Sequence, residues 1–300
     1  MKDKNFDFDD DDNINFDRDE HNSNEYGQIE DDEPVLTGKD SNFVFFFGSS
    51  GSGKSVILAS LLYYMRTKLG VFRPKKGTPN SIQAEVLLEN FFEELRKGNL
   101  PARTMKDEVT RFDLVFDPNN RSKKTPEINL TFLEMSGENH NEIRKGGQFH
   151  KSIDLFLNAK VPLYFIVVAG YDSAREDDYL ISTFFDRLEQ YRQNLKSVNA
   201  ILVISKWDIS GSKSVSNPEY LNKFIANKLP MSSALFDKYK LAKTYFTIGN
   251  IEDVNEVQKL RTFNTYTPNI LSNWLYKSIT GVPINYEGTF WERLKWGLGM

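Results

Sequence analysis

One eight-residue segment constrains the fold of this chain more than any other feature. Residues 48–55 read G-S-S-G-S-G-K-S and match the pattern G-x-x-x-x-G-K-[ST] without a mismatch. The segment follows a continuous apolar run at residues 42–47 and precedes a largely apolar stretch at residues 56–69. A buried strand, a glycine-rich loop and a helix in this order place backbone amides around phosphate oxygens. We therefore predict a phosphate-binding loop inside an α/β domain.

Each residue type in this loop has a chemical task. The glycines let the backbone approach the phosphates, Lys54 places a positive charge on the β- and γ-phosphates, and Ser55 offers a hydroxyl to Mg²⁺. The alternative is a glycine-rich turn that binds nothing, and the flanking strand and helix argue against it. The predicted phosphate-binding residues are Gly48, Ser49, Ser50, Gly51, Ser52, Gly53, Lys54, Ser55 and Val56.

Strands and helices alternate along the rest of the chain. The strands predicted after the loop lie at residues 112–116, 128–133, 163–169, 200–204 and 244–248. The predicted helices lie at residues 56–69, 81–97, 176–195, 217–240 with an interruption near Pro230, and 268–279. A turn-rich segment joins the first two of these strands as a hairpin. The alternation indicates an α/β fold whose central sheet is mostly parallel and carries helices on both faces.

Glu134 follows a buried strand at the edge of the sheet where ligands bind in open α/β folds. Its carboxylate is placed to help hold the shell of Mg²⁺ that accompanies a nucleoside triphosphate. Gly137, three residues later, is placed to offer a backbone N–H to the γ-phosphate. The alternative for Glu134 is a helix-capping or surface role.

A second acidic position follows the predicted strand 200–204, in the segment S-K-W-D at residues 205–208. A carboxylate at Asp208 can accept from the N1–H and the 2-amino group of guanine together, and adenine presents no such pair of donors. The aliphatic stem of Lys206 can lie along the base. The alternative is an ordinary loop with a solvated lysine and aspartate.

Together these residues resemble the Ras-like GTPases of the translation-factor-related class of P-loop NTPases, over about residues 42–280. The phosphate loop of the family matches residues 48–55, its D-x-x-G matches residues 134–137, and its [NT]-K-x-D matches residues 205–208. Residues 247–250 are similar to the loop whose backbone amides meet guanine O6. Residues 98–104 and the S-G-E at residues 136–138 are similar to bacterial double-GTPase-like proteins, which occur in multi-component bacterial systems.

The resemblance implies a three-layer P-loop NTPase fold, GTP or GDP with Mg²⁺ as cofactors, and a set of site residues. The implied catalytic residues are Lys54, Thr104, Glu134 and Glu138. The implied metal ligands are Ser55, Thr104 and Glu134, with Thr110 as the alternative to Thr104. The implied nucleotide contacts outside the phosphate loop are Gly137, Ser205, Lys206, Asp208 and Gly249.

Three departures from the family pattern bear on function. Glu134 stands where the family has Asp, and Ser205 stands where Asn or Thr is usual, which weakens the expected brace between the base loop and the phosphate loop. Glu138 stands at the position of the water-orienting Gln of Ras, and an anionic carboxylate beside a γ-phosphate orients water poorly. We therefore expect slow hydrolysis. Candidates for a charge-stabilising arginine are Arg103, Arg111 and Arg144.

The charge of −4 is divided unevenly along the chain. Residues 1–34 hold 14 Asp and Glu against 3 Lys and Arg, so their net charge is −11, while the remainder carries +7. This composition predicts an acidic disordered tail at residues 1–34. A GTPase-like domain at residues 35–282 and a C-terminal aromatic segment at residues 283–300 complete the expected organisation.

Composition excludes several kinds of site and partner. The chain has no cysteine and three histidines, so it offers no thiolate centre and little to bind zinc. The longest apolar run, at residues 161–169, is about half of a membrane span. We expect a cytoplasmic protein with neither membrane nor nucleic acid as partner. Protein partners are expected to dock on the switch segments or the tails.

The leading functional hypothesis is a molecular switch that binds GTP and hydrolyses it slowly. Two alternatives remain at this point. One is a P-loop ATPase with Glu134 as general base, against which Asp208 argues. The other is a scaffold that is stabilised by a nucleotide and scarcely turns it over.

Overall fold

The structure is a computed structural model, and it describes residues 41–76, 81–101, 109–120, 125–135, 137, 143, 157, 162–191, 198–211, 218–255 and 257–286. The predicted acidic tail and most of the C-terminal aromatic segment lie outside these residues, and their assignments stay predictions. The same holds for four candidate site residues, which are Arg103, Thr104, Glu138 and Arg144.

A seven-stranded sheet forms the centre of the described part of the chain. Its strands are β1 Asn42–Phe47, β2 Gly70–Pro74, β3 Val109–Pro118, β4 Ile128–Met135, β5 Leu163–Gly170, β6 Asn199–Ser205 and β7 Ala242–Tyr245. Their spatial order is β2-β3-β4-β1-β5-β6-β7. Neighbouring strands from β4 to β7 pair in parallel, and β3 runs antiparallel to both β2 and β4. The mostly parallel sheet and the β3–β4 hairpin confirm the sequence prediction.

Helices cover both faces of this sheet. Their bounds are α1 Lys54–Tyr64, α2 Ser81–Arg96, α3 Ala174–Tyr191, α4 Pro218–Lys228, α5 Pro230–Lys238 and α6 Tyr266–Thr280. Buried side chains of α1, α2 and α6 pack on one face, and those of α3, α4 and α5 pack on the other. The three-layer α/β architecture of a P-loop NTPase fold is therefore confirmed. Within the described ranges, no helix is both long enough and apolar enough to cross a membrane.

The central strand β1 explains why its sequence is apolar without alternation. Phe43, Phe45 and Phe47 belong to the core under α3, whereas Val44 and Phe46 belong to the core under α1. Successive side chains of a strand point to opposite faces, so a strand covered on both sides needs an apolar residue at every position. This burial holds the carboxyl end of β1, where the loop 48–55 begins, in the middle of the sheet.

The structure corrects three local predictions. The helix expected at residues 56–69 ends as an α-helix at Tyr64 and continues as one π-helical turn, Met65–Leu69. No strand was predicted between this helix and the next, yet residues Gly70–Pro74 form the edge strand β2. The strand expected at residues 244–248 is Ala242–Tyr245, and it is followed by an unpredicted hairpin, β8 Gly249–Val254 and β9 Val257–Phe263. Polar side chains dominate this hairpin, so its sequence lacks the apolar alternation that marks a strand.

A buried carboxylate on α3 joins that helix to the start of α5. Asp178 is 4% exposed, and its oxygens accept hydrogen bonds from the backbone N–H of Met231 (3.0 Å), the backbone N–H of Ser232 (2.8 Å) and the hydroxyl of Ser232 (2.6 Å). The first N–H groups of a helix have no partner within the helix. Asp178 supplies that partner from a neighbouring helix, while Pro230 begins α5.

We expect Asp178→Ala to lower the free energy of unfolding by about 2 kcal/mol, because it leaves buried donors of α5 without an acceptor. Urea denaturation measures this loss. Asp186→Ala is the matched control, since Asp186 lies on the same helix and is exposed. Equal effects of the two substitutions would contradict the capping role.

Candidate functional site

The loop 48–55 leaves the carboxyl end of β1 and enters α1 against the backbone of β5. A side-chain carbon on Gly48 would overlap the carbonyl oxygen of Val168, so only glycine permits this approach. Gly53 precedes α1 in the left-handed region, with φ 89° and ψ 18°, a conformation that glycine adopts without strain. The loop closes on itself through the N–H of Ser52, which donates to the carbonyl of Ser49 at 3.3 Å.

Lys54 begins α1 and extends its side chain along the inside of the loop. Its Nζ donates to the carbonyl oxygens of Gly48 at 3.0 Å and Ser49 at 2.8 Å, and the residue is only 6% exposed. The loop thus holds a positive charge at the positive end of the helix dipole, an arrangement that attracts anions.

Glu134 lies beside the loop because β4 pairs in parallel with β1, with Phe46 opposite Glu134 in the register. Its carboxylate accepts a hydrogen bond from the hydroxyl of Ser55 and is 1% exposed. Two hard oxygen groups therefore meet at the amino end of α1, which is the donor chemistry that Mg²⁺ prefers. Within the described ranges, no three His, Asp or Glu side chains come close enough to hold a metal ion by themselves.

Gly137 is buried and lies directly against the phosphate loop. A side-chain carbon at this position would overlap the backbone of Ser49 and Ser50. The chain therefore returns from Glu134 to the loop within three residues, and glycine is the residue that lets the two backbones meet.

Ser205, at the end of β6, connects the predicted base loop to the phosphate loop. Its hydroxyl donates to the carbonyl oxygen of Ser52 at 2.6 Å and lies 3.3 Å from the carbonyl oxygen of Ala169. We expected serine at this position to weaken the connection between the two loops. The connection is nevertheless present, as a hydrogen bond from the serine hydroxyl to a carbonyl of the phosphate loop.

The residues after Ser205 turn sharply away from the sheet. Lys206 has left-handed backbone angles, φ 53° and ψ 35°, and precedes a 3₁₀ turn, Trp207–Ser210. Trp207 is buried among aromatic rings and stacks on Tyr245 with the ring centres 5.4 Å apart. Because Trp207 is fixed in this way, the exposed Asp208 next to it has a rigid backbone support.

An acidic residue that the sequence analysis missed faces Lys206. Asp172 lies in the turn between β5 and α3, and its carboxylate pairs with the Lys206 ammonium at 2.8 Å. Partial burial tends to raise the pKa of Asp172. The hydrogen bond and positive charge of Lys206, together with the backbone N–H groups of Asp172 and Ser173, outweigh it, so the pKa lies below its ordinary value. The pair therefore persists at neutral pH and is lost only as the pH falls through that lowered pKa. In the sequence, Asp172 could have been recognised as a candidate site residue by its position just after a buried strand.

Gly249 lies at the first position of a strand, although its segment resembles a loop. It begins β8 and pairs with Phe263, and a side-chain carbon would overlap the carbonyl oxygen of Thr262. Its N–H lies 3.4 Å from the hydroxyl of Thr247. The glycine is therefore explained by the hairpin, and its contact with a base stays a prediction.

Arg111 takes part in a buried polar network between β3 and β4. Its guanidinium pairs with Asp113 at 2.8 Å, and Asp113 also accepts a hydrogen bond from the hydroxyl of Thr131 at 2.6 Å. Ser41 extends the network to Thr131 at 3.0 Å. These contacts give Arg111 a structural role in the sheet, which makes it a poor candidate for a charge-stabilising arginine.

Comparisons with known proteins give matches among solved structures alone. No protein-family model and no curated protein matches the chain. Among solved structures, one from Methanosarcina barkeri, Roco2 RocCORdC bound to GDP, is similar with a TM-score of 0.32 and 14% sequence identity. The match covers 73% of this chain and 46% of that one, so this chain spans about half of its length. At this identity and TM-score the likeness carries no argument.

We expect Ser205→Ala to lower the free energy of unfolding by about 1–2 kcal/mol, because the buried carbonyl of Ser52 loses its hydroxyl donor. Ser205→Thr is the matched control, since it keeps the hydroxyl. Urea denaturation of both variants tests the brace. Equal stabilities of the alanine and threonine variants would show that this hydrogen bond does not link the two loops.

Proposed function

We propose that this protein binds a guanine nucleotide with Mg²⁺ and acts as a slowly hydrolysing molecular switch. The observation that carries the proposal is the contact between the Ser55 hydroxyl and the buried carboxylate of Glu134, beside the buried ammonium of Lys54. Buried ionised groups are costly unless they are paired or bind an ion. A positive charge and an oxygen pair at one loop suit a magnesium-bound phosphate chain.

The phosphate end of the nucleotide would lie in the loop 48–55. Its oxygens would accept from the loop amides and from Lys54, which would exchange the carbonyls of Gly48 and Ser49 for phosphate. Ser55 and Glu134 would hold the metal ion, with Thr104 as a further predicted ligand. When bound, Mg²⁺ neutralises charge that develops on the β- and γ-phosphates. The backbone of Gly137 lies against Ser50, and its N–H would donate to the γ-phosphate.

The base end would lie against residues 205–208. Asp208 is exposed on a 3₁₀ turn whose neighbour Trp207 is buried, so its carboxylate is available on a supported backbone. Guanine offers two adjacent donors to a carboxylate, and this pairing favours GTP and GDP over adenine nucleotides. The hydrogen bond from Ser205 to Ser52 supports this assignment because it ties the base end to the phosphate end.

Hydrolysis is expected to be slow and to depend on a partner. The predicted water-orienting position holds Glu138, whose negative charge opposes the γ-phosphate. Arg111 is committed to Asp113. An arginine supplied by another protein raises the rate of such reactions by ~10³ or more. Binding of that partner to the switch segments or the tails would complete the site.

The contact with Ser55 also bears on the ATPase alternative. A general base must face the attacking water, and the Glu134 carboxylate instead accepts from the Ser55 hydroxyl at the metal position. This geometry favours a metal-binding role over a general-base role. Single-turnover hydrolysis of GTP separates the switch from a scaffold that binds nucleotide without turning it over.

We expect Lys54→Ala to weaken GTP binding by at least ~2 kcal/mol, about thirtyfold, because a charge-assisted contact to phosphate is lost. Isothermal titration with magnesium and GTP measures the change. Lys223→Ala is the control, since Lys223 is an exposed lysine paired with Glu219 on α4. Unchanged affinity in a folded Lys54→Ala variant would refute phosphate binding at this loop.

We expect Asp208→Asn to shift the preference from GTP toward xanthosine triphosphate, because an amide donates to the carbonyl that replaces the 2-amino group. Competition titrations with GTP, XTP and ATP measure the preference. If the unmodified protein binds ATP as tightly as GTP, the guanine assignment fails and the ATPase alternative gains support.

A further inference from the structure

We propose that Asp172 is a positioning residue of the base pocket, whose carboxylate holds the ammonium of Lys206 so that the stem of this lysine lies ready along the face of the base. The inference deepens the proposed function and rests on it. It assigns a specific task to a residue in the turn between β5 and α3, which lies outside the segments that match the phosphate, metal and base motifs.

The geometry of the pair restricts Lys206 at both ends of its side chain. Its Nζ lies 2.8 Å from one carboxylate oxygen of Asp172 and 3.1 Å from the other, so both oxygens hold it. At the other end, the left-handed backbone of Lys206 leads into the 3₁₀ turn Trp207–Ser210 and is fixed by the buried ring of Trp207. The four-carbon stem is thereby held between two anchored points.

Asp172 is itself held by its chain neighbours. The N–H of Tyr171 donates to the carbonyl of Ser205 at 3.1 Å, and the Tyr171 ring stacks on Phe224 with the ring centres 4.6 Å apart. On the other side, the hydroxyl of Ser173 donates to the buried Asp177 at 2.8 Å. These contacts tie the turn to β6 and to α3, so the carboxylate is presented from a rigid support.

A close approach at Gly170 brings the carboxylate back over the end of β5. A side-chain carbon on Gly170 would lie 2.7 Å from Asp172 Oδ1 and 2.5 Å from Ser173 Oγ, which is closer than such contacts allow. Gly170 also donates its N–H to Asp177 at 3.0 Å. A side chain at Gly170 would therefore displace the side-chain oxygens of Asp172 and Ser173 from these positions.

The exposure of the pair argues against a role in stability alone. The side chains of Lys206 and Asp172 are 37% and 50% exposed, and exposed ion pairs contribute little to the free energy of unfolding. A lysine stem that is ordered before the ligand arrives has a different effect. It removes the entropy loss that would otherwise accompany binding, and that loss corresponds to about threefold to tenfold in affinity for one flexible side chain.

The position of Lys206 defines whether nucleotide affinity or the rate of hydrolysis should change. Lys206 follows β6 at the base end, whereas Lys54 and Glu134 lie at the phosphate end. Loss of the Asp172 carboxylate should therefore weaken GDP and GTP by the same factor. The rate constant for hydrolysis of bound GTP should stay unchanged, because the phosphate end is not altered.

A double-mutant cycle in the full chain tests the proposal. Asp172→Asn, Lys206→Met and the double variant are titrated with GDP and with GTP in the presence of magnesium, and the rate of single-turnover hydrolysis is recorded. Methionine keeps the length of an apolar stem without the ammonium. We expect Asp172→Asn to weaken both nucleotides about threefold to tenfold in the unmodified background and to have no effect in the Lys206→Met background. Asp172→Glu should restore part of the affinity.

Asp186→Asn is the control for removal of an acidic charge, and it should bind like the unmodified protein, since Asp186 is exposed on α3 away from the turn. Unchanged affinity in Asp172→Asn would overturn the inference while leaving the proposed function intact. An equal loss in both backgrounds would also overturn it, because Asp172 would then act independently of Lys206. An unmodified protein that binds neither GDP nor GTP would instead overturn the proposed function and, with it, this inference.

Discussion

The close contact between the phosphate loop and the backbones around it is the constraint on which the rest of the site depends. Gly48 passes against the carbonyl of Val168 on one side, and Gly137 meets Ser50 on the other. The carbonyl of Ser52 accepts the hydroxyl of Ser205 from the end of β6. The residues that make these contacts lie in or just after β4, β5 and β6, three strands that run parallel, so the ends of these strands enclose the loop at one edge of the sheet.

Because the strand ends enclose the phosphate loop, two charged side chains beside it are buried. Lys54 and Glu134 are nearly inaccessible to water, and each is stabilised by polar groups of the loop itself, the carbonyls of Gly48 and Ser49 in one case and the hydroxyl of Ser55 in the other. The carboxylate of Glu134, near the end of β4, thus reaches the Ser55 hydroxyl at the amino end of α1.

The hairpin β8–β9 follows β7, in a region where the sequence resembles a short loop. Its second strand is attached to the end of α2, where the N–H of Leu260 donates to the carbonyl of Gly98 at 2.7 Å. The ring of Phe263 packs edge-on against Tyr63 of α1 at 5.3 Å. The hairpin is therefore part of the α1, α2 and α6 layer, although most of its side chains are polar and exposed.

The sequence by itself determined six of the seven strands of the sheet, the helices on both faces and the phosphate loop. Continuous apolar runs and the spacing of G-x-x-x-x-G-K-S reflect local backbone requirements and burial. It did not reveal the pair of Asp172 with Lys206, the attachment of the hairpin at Gly98, or which loop carbonyl accepts the Ser205 hydroxyl, namely that of Ser52. The partners in these contacts are separated by 34, 162 and 153 positions. Only the tertiary structure determined these contacts. A polar contact between distant residues depends on which strand ends and turns the packed sheet brings together, and no local sequence pattern encodes that proximity.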